Sequence, residues 1–327
     1  MSVNAMPRIV IPDDAPPVMA ESQAYRKLLG RTPVDYHDTL PATEERLIER
    51  LAAAEIVINI RSSTRFTENV FSHRPGLRLL SLWGTGTDNV DLAAAARHGV
   101  TVTNTPGVSA VSIAEHALTL MLSVARRIPR LDTEVRQGRW PRGQAVQMHG
   151  KTLGIIGLGA VGRRFARLGA GIGMRVTAWT MHPDPALGFE LVSLDDLLRS
   201  SDVVSLHLRL SAETLGFIGK REFEKMKPSA IFINTARGPI VDQPAMLEAL
   251  SSHRIAGAGL DVFEIEPLPA HHPLLPLDNV VLTSHCAGVT PEALEAGLEL
   301  SITNVWNFLE GRPTNVVVSG TGARASN

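Results

Sequence analysis

The sequence predicts an α/β protein built from two doubly wound parallel sheets, and three observations predict it. A chain of 327 residues exceeds what one hydrophobic core usually organises, so two domains are expected. Short apolar, β-branched runs alternate with helix-like segments, the pattern of parallel strands joined by crossover helices. A glycine-rich turn, Gly157-Leu158-Gly159-Ala160-Val161-Gly162, separates a strand-like run from a helix-like one.

In chain order, Arg8–Ile11, Ile56–Ile60, Leu79–Leu82 and Val100–Thr103 read as strands of a smaller first domain. Thr43–Ala54 reads as a helix between them, with Glu and Arg on one face and Leu47, Ile48 and Leu51 on another. Leu153–Gly157, Arg175–Thr180, Val203–His207, Ala230–Asn234, Ala256–Asp261 and Val280–Thr283 read as six further strands. Several are apolar throughout, as strands covered on both faces are. Val161–Gly173, Leu194–Ser200, Gly219–Met226 and Asp242–Ser251 suit the crossover helices. The apolar helix Ile113–Ala125 is the expected outgoing link, and a helix at Pro291–Leu309 is expected to return to the first domain. The division is therefore 1–105 completed by 291–327, and 106–290.

A net charge of −1 and an aromatic share of 5% argue against nucleic acid or an anionic membrane as partner. The single cysteine, Cys286, rules out an intramolecular disulfide and fits a reducing compartment. Met1–Asp14 lacks the basic-then-apolar layout of a secretory leader. Ile113–Ala125, interrupted by Glu115 and His116, is too short for a span of about 20 apolar residues. The expectation is a cytoplasmic protein. No metal-ligand set is read from the sequence.

The Gly157–Gly162 turn has the GxGxxG spacing, follows a strand, opens a helix and precedes another strand. That context reads as a dinucleotide cradle. Gly157 permits the tight turn, Gly159 lets backbone approach a pyrophosphate, and Gly162 lets helix and strand pack closely. The helix N-terminus offers unpaired N–H groups to the anion. The plain alternative is a strand-to-helix turn with small residues for packing. The second strand ends Ala178-Trp179-Thr180-Met181-His182, without the carboxylate that repels a 2′-phosphate. Thr180 can bond a ribose hydroxyl or a phosphate, with His182 or Arg163 nearby, or it merely ends a strand. The cofactor is left as NAD or NADP.

Three later loops each follow a strand: Asn234–Gly238, Asp261–Pro267 and Thr283–Gly288. They bring Arg237, Glu266 and His285 to the sheet edge where doubly wound folds bind ligands. Hydride transfer at C2 of a hydroxy acid needs a base for the hydroxyl proton, and histidine serves near neutral pH. A neighbouring carboxylate orients the imidazole and favours its protonated form. A guanidinium offers a planar fork for a carboxylate and a keto oxygen. Singly, Arg237 reads equally as a surface ion-pair partner, Glu266 as a solvated charge and His285 as a satisfied strand-end histidine. Together they are a poor coincidence.

These motifs resemble those of the D-isomer-specific 2-hydroxyacid dehydrogenases, a family that includes glyoxylate/hydroxypyruvate reductases and phosphoglycerate dehydrogenases. The resemblance rests on Gly157–Gly162, Asn234–Asp242, Leu260–Pro269 and Thr283–Gly288, and on Gly84–Asp91, Asn104–Gly107, Ala114–Leu122 and Lys151–Gly157. It implies two Rossmann-like/flavodoxin-like domains with the active site in the cleft between them. It further implies a nicotinamide-dependent oxidoreductase interconverting a small D-2-hydroxy acid and its 2-keto acid. Arg237 would bind the substrate carboxylate and polarise the carbonyl, His285 would be the general acid/base, and Glu266 its partner. Backbone around Trp83, Gly84, Thr85 and Gly86 would hold the substrate carboxylate. The cofactor set would be Gly157, Gly159, Ala160, Val161, Gly162, Thr180, Leu208, Ala236, Asp261 and His285, with Ala236 and Asp261 near the nicotinamide. A homodimer through the nucleotide-binding domains is implied, in which Trp140 reaches the partner's site or fills the dimer core.

Two departures from the family pattern stand out. Thr180 replaces the usual acidic residue, and Cys286 follows His285 with no base to activate it, so it reads as a packing residue. Arg61 and Arg65 hint at an anionic substrate tail or are exposed loop charges. Phosphite oxidation remains an alternative, since such enzymes keep the Arg, Glu and His, whereas Glu266 argues against formate oxidation. A dinucleotide-sensing corepressor is the alternative of another class. It would carry recruiting tails, and here only Ser319–Asn327 stands in that place.

Overall fold

The computed structural model describes residues 6–320. Residues 1–5 and 321–327, which hold the start of the segment read for a leader and most of the Ser319–Asn327 tail, lie outside the described residues. The chain forms two compact units: residues up to 109 with those from 290 onward, and residues 110–289.

The first unit opens with β1 (Ile9–Ile11), α1 (Gln23–Leu29), β2 (Val34–Tyr36), α2 (Glu44–Arg50) and β3 (Ile56–Asn59). It continues through α3 (Glu68–Ser72), β4 (Leu79–Leu82), α4 (Leu92–Arg97) and β5 (Thr101–Thr103). The second unit holds α5 (Ala110–Arg126), α6 (Ile128–Arg136), β6 (Thr152–Ile156), α7 (Ala160–Gly171), β7 (Arg175–Trp179) and β8 (Glu190–Leu191). There follow α8 (Leu194–Ser200), β9 (Val203–Leu206), α9 (Lys220–Lys225), β10 (Ile231–Asn234), α10 (Gln243–Ser251), β11 (Gly257–Leu260) and β12 (Val280–Leu282). The chain then returns to the first unit with α11 (Pro291–Leu309) and β13 (Val316–Val318).

Helix starts are written locally. Ser22, Thr43, Thr67, Asp91, Ser193, Asp242 and Thr290 each accept, through the side chain, the N–H three residues on. Each such cap satisfies a donor the helix leaves open and is worth about 1 kcal/mol.

The first sheet runs β13-β5-β4-β3-β1-β2, parallel except for β13, which pairs antiparallel with β5. The second runs β12-β11-β10-β9-β6-β7-β8, all parallel. Both are doubly wound, as the sequence predicts. The second sheet has seven strands rather than six, because β8, a half-exposed two-residue edge, carries no apolar run to announce it. β2 and β13 were likewise not predicted: both are three-residue edge strands without a fully buried position.

Central strands β3, β4, β6, β9, β10 and β11 are buried at every position. In the second unit, α5 packs Ala114, Ala117, Leu120 and Met121 into the core beside Ile231 and Ile233. Two glycines in β11 permit that approach: a Cβ on Gly259 would lie 2.8 Å from Leu120 Cβ. The strand thus gives up side chains so that a helix can lie close. In the second sheet the strand order reverses between β6 and β9, the position where such sheets open a ligand crevice at their C-terminal edge.

Candidate active site

The turn after β6 sits at that reversal. Gly157 has φ +100°, a left-handed conformation that disfavours side chains, and a Cβ there would lie 2.8 Å from the His207 carbonyl oxygen. A Cβ on Gly162 would fall 2.0 Å from the Gly157 carbonyl oxygen, so helix and turn are in direct backbone contact. Gly159, by contrast, faces open space, with nothing within 4 Å of its would-be Cβ. It is also the N-cap of α7 and provides no side-chain cap, so the first N–H groups, on Ala160 and Val161, stay open. A tight turn, an open glycine and an uncapped helix start form a cradle that fits a pyrophosphate. Leu208 lies beside Gly157, and Thr180 follows β7, half-buried and accepting the His182 N–H at 3.4 Å.

β10, β11 and β12 are parallel neighbours, so the loops that follow them emerge side by side. Asn234 shapes the first loop: its Oδ1 accepts the Ala236 N–H at 3.0 Å, and its Nδ2 donates to the Arg237 carbonyl at 3.1 Å. The first bond is an Asx turn, a signal an Asn at a strand end does carry, although the sequence reading passed over it. Arg237 is half-buried, and its Nη1 donates to the Ala236 carbonyl at 2.9 Å. A Cβ on Gly238 would lie 1.9 Å from the Phe263 carbonyl carbon, which presses the Arg237 loop onto the loop carrying Glu266.

Glu266 bridges the loops. Its Oε1 accepts the Phe263 N–H at 2.9 Å, and its Oε2 lies 2.6 Å from His285 Nδ1. Both side chains are one-third exposed. Burial alone would raise the Glu266 carboxyl. The His285 hydrogen bond and charge, the Phe263 N–H and the Arg237 guanidinium outweigh it and hold the carboxyl below its usual 4.5. Glu266 is therefore ionised at neutral pH and accepts a hydrogen bond from His285 Nδ1, which leaves Nε2 to exchange protons with a ligand. His207, also at a strand end, is pushed down to about 3 by burial and stays neutral. Its Nε2 lies 2.9 Å from the Ser205 hydroxyl. Only His285 of the two suits acid/base work.

Because the Glu266 carboxyl is depressed, its contribution to stability is present above about pH 4.5 and is lost as pH falls through its lower folded value. Glu266→Gln is expected to cost about 1 kcal/mol or less near pH 7. That gap should close between pH 5 and pH 3 in urea unfolding. A gap that stays constant across the range would refute the pairing.

His285 has φ +53°, a conformation costing a non-glycine residue roughly 1–2 kcal/mol. Its N–H donates to the Asp261 carbonyl at 2.7 Å. The next two N–H groups, of Cys286 and Ala287, donate to Asp261 Oδ1 and Oδ2 at 3.0 and 2.9 Å. The left-handed residue turns successive N–H groups onto one carboxylate, an anion-binding nest. His116, Asp261 and Cys286 place an imidazole, a carboxylate and a thiol within 4.8 Å of one another. Both Asp261 oxygens are already engaged by the loop, so we assign no metal there. The Cys286 sulfur, 3.7 Å from Asp261 Oδ1, has a packing position.

In the first unit, the loop after β4 carries the other predicted residues. The Trp83 N–H donates to the Asn59 carbonyl at 2.9 Å and the Gly84 N–H to Thr105 Oγ1 at 2.6 Å. Those two donors are spent inside the fold, and the indole N–H of Trp83 reaches the Leu294 carbonyl at 3.3 Å. The cradle expected from Trp83, Gly84, Thr85 and Gly86 therefore narrows to the N–H groups of exposed Thr85 and half-buried Gly86. Arg61 donates to the Pro16 carbonyl and lies 3.7 Å from the fully buried Asp14, with its side chain 16% exposed. Arg65 is exposed and shares a shallow hollow with Asp88 and Asp91.

Residues 118–287 match the family described as D-isomer specific 2-hydroxyacid dehydrogenase, NAD binding domain. The chain is 39% identical over 291–293 residues to glyoxylate reductases of Korarchaeum cryptofilum and Aeropyrum pernix, covering 85–86% of itself and 87–88% of each. The chain belongs to the D-isomer-specific 2-hydroxyacid dehydrogenases. It is also 40% identical over 284 residues to D-3-phosphoglycerate dehydrogenase of Archaeoglobus fulgidus, covering 85% of this chain but only 54% of that protein. Among solved structures, the NADPH-dependent glyoxylate/hydroxypyruvate reductase of Sinorhizobium meliloti in complex with citrate superposes with a TM-score of 0.83. It is 28% identical and covers 95% of this chain and 98% of its own. Like other members of its family, this dehydrogenase has an NAD-binding domain of doubly wound topology, and its cofactor is NAD or NADP.

Proposed function

We propose that this dehydrogenase reduces a small 2-keto monocarboxylate to the D-2-hydroxy acid, reversibly, with Arg237, Glu266 and His285 as its catalytic residues. The observation that carries the proposal is the His285–Glu266 contact at 2.6 Å, on a loop packed against the Arg237 loop. A bound nicotinamide dinucleotide would supply or accept the hydride. Glu266 keeps the imidazole oriented through Nδ1, so that Nε2 gives its proton to the keto oxygen as negative charge develops there. Arg237 binds the substrate carboxylate and polarises the carbonyl, while Thr85 and Gly86 N–H groups hold the carboxylate from the first unit. Gly157, Gly159, Ala160, Val161 and Gly162 receive the pyrophosphate. Thr180, Leu208, Ala236, Asp261 and His285 complete the cofactor set, in a chain of two domains, 1–105 with 291–327 and 106–290.

The substrate class follows from the cations near the expected side-chain pocket. Arg61 is tied to Asp14 and Pro16 and is not set to receive a phosphorylated tail, while Arg65 is an exposed loop charge. Glyoxylate and hydroxypyruvate fit this better than a phosphorylated keto acid. With Thr180 rather than a carboxylate immediately after β7, NADH and NADPH should both be used.

The quaternary reading is a homodimer. Residues 126–147 are almost entirely exposed, α6 buries no residue, and Ile128, Val135, Trp140 and Val146 are 52%, 48%, 74% and 45% exposed. Apolar groups presented on one arm call for a covering surface, and a second copy of the nucleotide-binding domain supplies it. Among the described residues no helix is long and apolar enough to cross a membrane, and a cytoplasmic setting suits the single thiol. The named relatives are reductases and dehydrogenases, which does not favour phosphite oxidation or a corepressor role.

The test is a panel of glyoxylate, hydroxypyruvate and 3-phosphohydroxypyruvate, assayed with NADH and with NADPH, on protein whose mass is measured by light scattering. We expect kcat/KM for the best unphosphorylated acid to lead by about tenfold or more, a difference of roughly 1.4 kcal/mol. The expected mass is that of two 35.3 kDa chains. Preference for the phosphorylated acid would overturn the substrate class, no turnover of any keto acid the reaction, and a monomer the arm's role.

A further inference from the structure

Behind the His285 loop lies a hydrogen-bond chain that the reaction as described does not use. Thr283, just after β12, places its hydroxyl 2.6 Å from Asp261 Oδ1 and 2.9 Å from His116 Nε2. A carboxylate only accepts, so the short bond takes the hydroxyl proton, and the oxygen's lone pair faces the imidazole. His116 therefore donates from Nε2. Its ring also lies 3.6 Å from the same Asp261 oxygen. The chain runs from α5 through Thr283 to Asp261, and from Asp261 into the backbone of residues 285–287.

Asp261 is 1% exposed. It receives the Thr283 hydroxyl and the N–H groups of Cys286 and Ala287, and its own carbonyl takes the His285 N–H. A buried carboxylate with these donors has one low-energy orientation, and that orientation requires His285 to stay left-handed. Removing the hydroxyl would leave Oδ1 short of a donor in a dry site and would leave the His116 N–H facing a methyl group. Rotation of the carboxylate toward the imidazole would then relieve both defects, and it would draw Oδ1 away from the nest.

We propose that Thr283 is a positioning residue: backed by His116, it fixes the Asp261 carboxylate so that the 285–287 loop presents His285 to the substrate. This rests on the dehydrogenase reading of His285 and adds to it two residues, Thr283 and His116, that touch neither substrate nor cofactor in that reading. Thr283 sits where β12 ends, two residues before the group it serves, so a small change in its hydrogen bonding reaches the imidazole directly.

The test compares Thr283→Val, which keeps shape and loses the hydroxyl, with Thr283→Ser, which keeps the hydroxyl and loses the methyl. Thr283→Val is expected to lower kcat about 10–100-fold, the scale on which a misplaced catalytic group acts. Affinity for NADH or NADPH, measured by fluorescence titration, should stay near that of wild type. Hydrogen exchange at the Cys286 and Ala287 amides should quicken, and Thr283→Ser should restore both kcat and protection. Wild-type kcat and exchange in Thr283→Val would overturn the proposal, as would a serine variant no better than valine. So would a loss of cofactor affinity as large as the loss in kcat, since the defect would then lie in cofactor binding, directly or through Asp261, and not in the placing of His285. Amide exchange needs no turnover. If the wild-type protein reduces no keto acid, the functional reading falls while the exchange comparison still decides whether Thr283 holds the loop.

Discussion

Replacing His285 with alanine is expected to lower kcat by about 10²–10⁴-fold, the usual worth of a positioned acid/base, and to lower NADH or NADPH affinity far less, because the rest of the cofactor set remains. The imidazole is held by Glu266 at Nδ1 alone, so Nε2 is the atom left to pass a proton. Alanine at φ +53° is no better accommodated than histidine, and the loop's tethers to Asp261 are backbone N–H groups that the substitution keeps. The fold should therefore survive, and the loss should fall more on turnover than on binding. Steady-state kinetics with a fluorescence titration of the cofactor separates the two. Turnover above about a tenth of wild type would remove His285 from proton transfer. His207 is no substitute, because burial keeps it neutral and it packs edge-on against Phe165 at 5.7 Å.

Much of this fold was legible because its central strands are covered on both faces. Ile56–Asn59, Leu79–Leu82 and Ile231–Asn234 are buried at every position, so each had to be an apolar run. The edge strands had no such obligation. Val34–Tyr36 is half-buried and Glu190–Leu191 lies at a rim, so neither departs from loop composition. Helix α6 does carry an apolar stripe, Ile128, Leu131 and Val135, but it buries no residue within the chain, and the sequence reading passed over it.

The site was legible as residue types at strand ends and illegible as hydrogen-bond bookkeeping. Arg237, Glu266 and His285 follow three strands that the structure places side by side. That Trp83 and Gly84 would spend their N–H groups on Asn59 and Thr105 depends on partners brought in by other strands. Arg61 read as a free cation until Asp14, 47 residues earlier in the sequence, proved to lie beside it. Asp261 read as a nicotinamide neighbour, and only the left-handed backbone of His285 reveals how fully its carboxylate serves the loop.

Arg237→Lys is expected to lower kcat/KM for the best keto acid by about 10²-fold, or roughly 3 kcal/mol of transition-state stabilisation. The substitution preserves the positive charge, so any loss reports geometry. A guanidinium can place two N–H groups on one carboxylate while keeping a third bond elsewhere; an ammonium is a point charge on a flexible stem. Here the fork is pre-set. Nη1 already donates to the Ala236 carbonyl, and Asn234 fixes the Arg237 backbone from below. Lysine would keep the backbone arrangement, since the Asn234 bonds involve no Arg237 side-chain atom, and would lose the tether that aims the charge. Gly238, pressed against Phe263, prevents the loop from shifting to compensate. Cofactor affinity should hold, because the pyrophosphate cradle after β6 lies on a different loop. Glu266 is one-third exposed and keeps its bonds to Phe263 and His285, so the acid/base pair should also survive. The loss should then appear in kcat as well as KM, because polarising the carbonyl acts chiefly in the transition state. A lysine variant with wild-type kcat/KM would show that Arg237 acts through charge alone or not at all, and the keto acid would need another anchor.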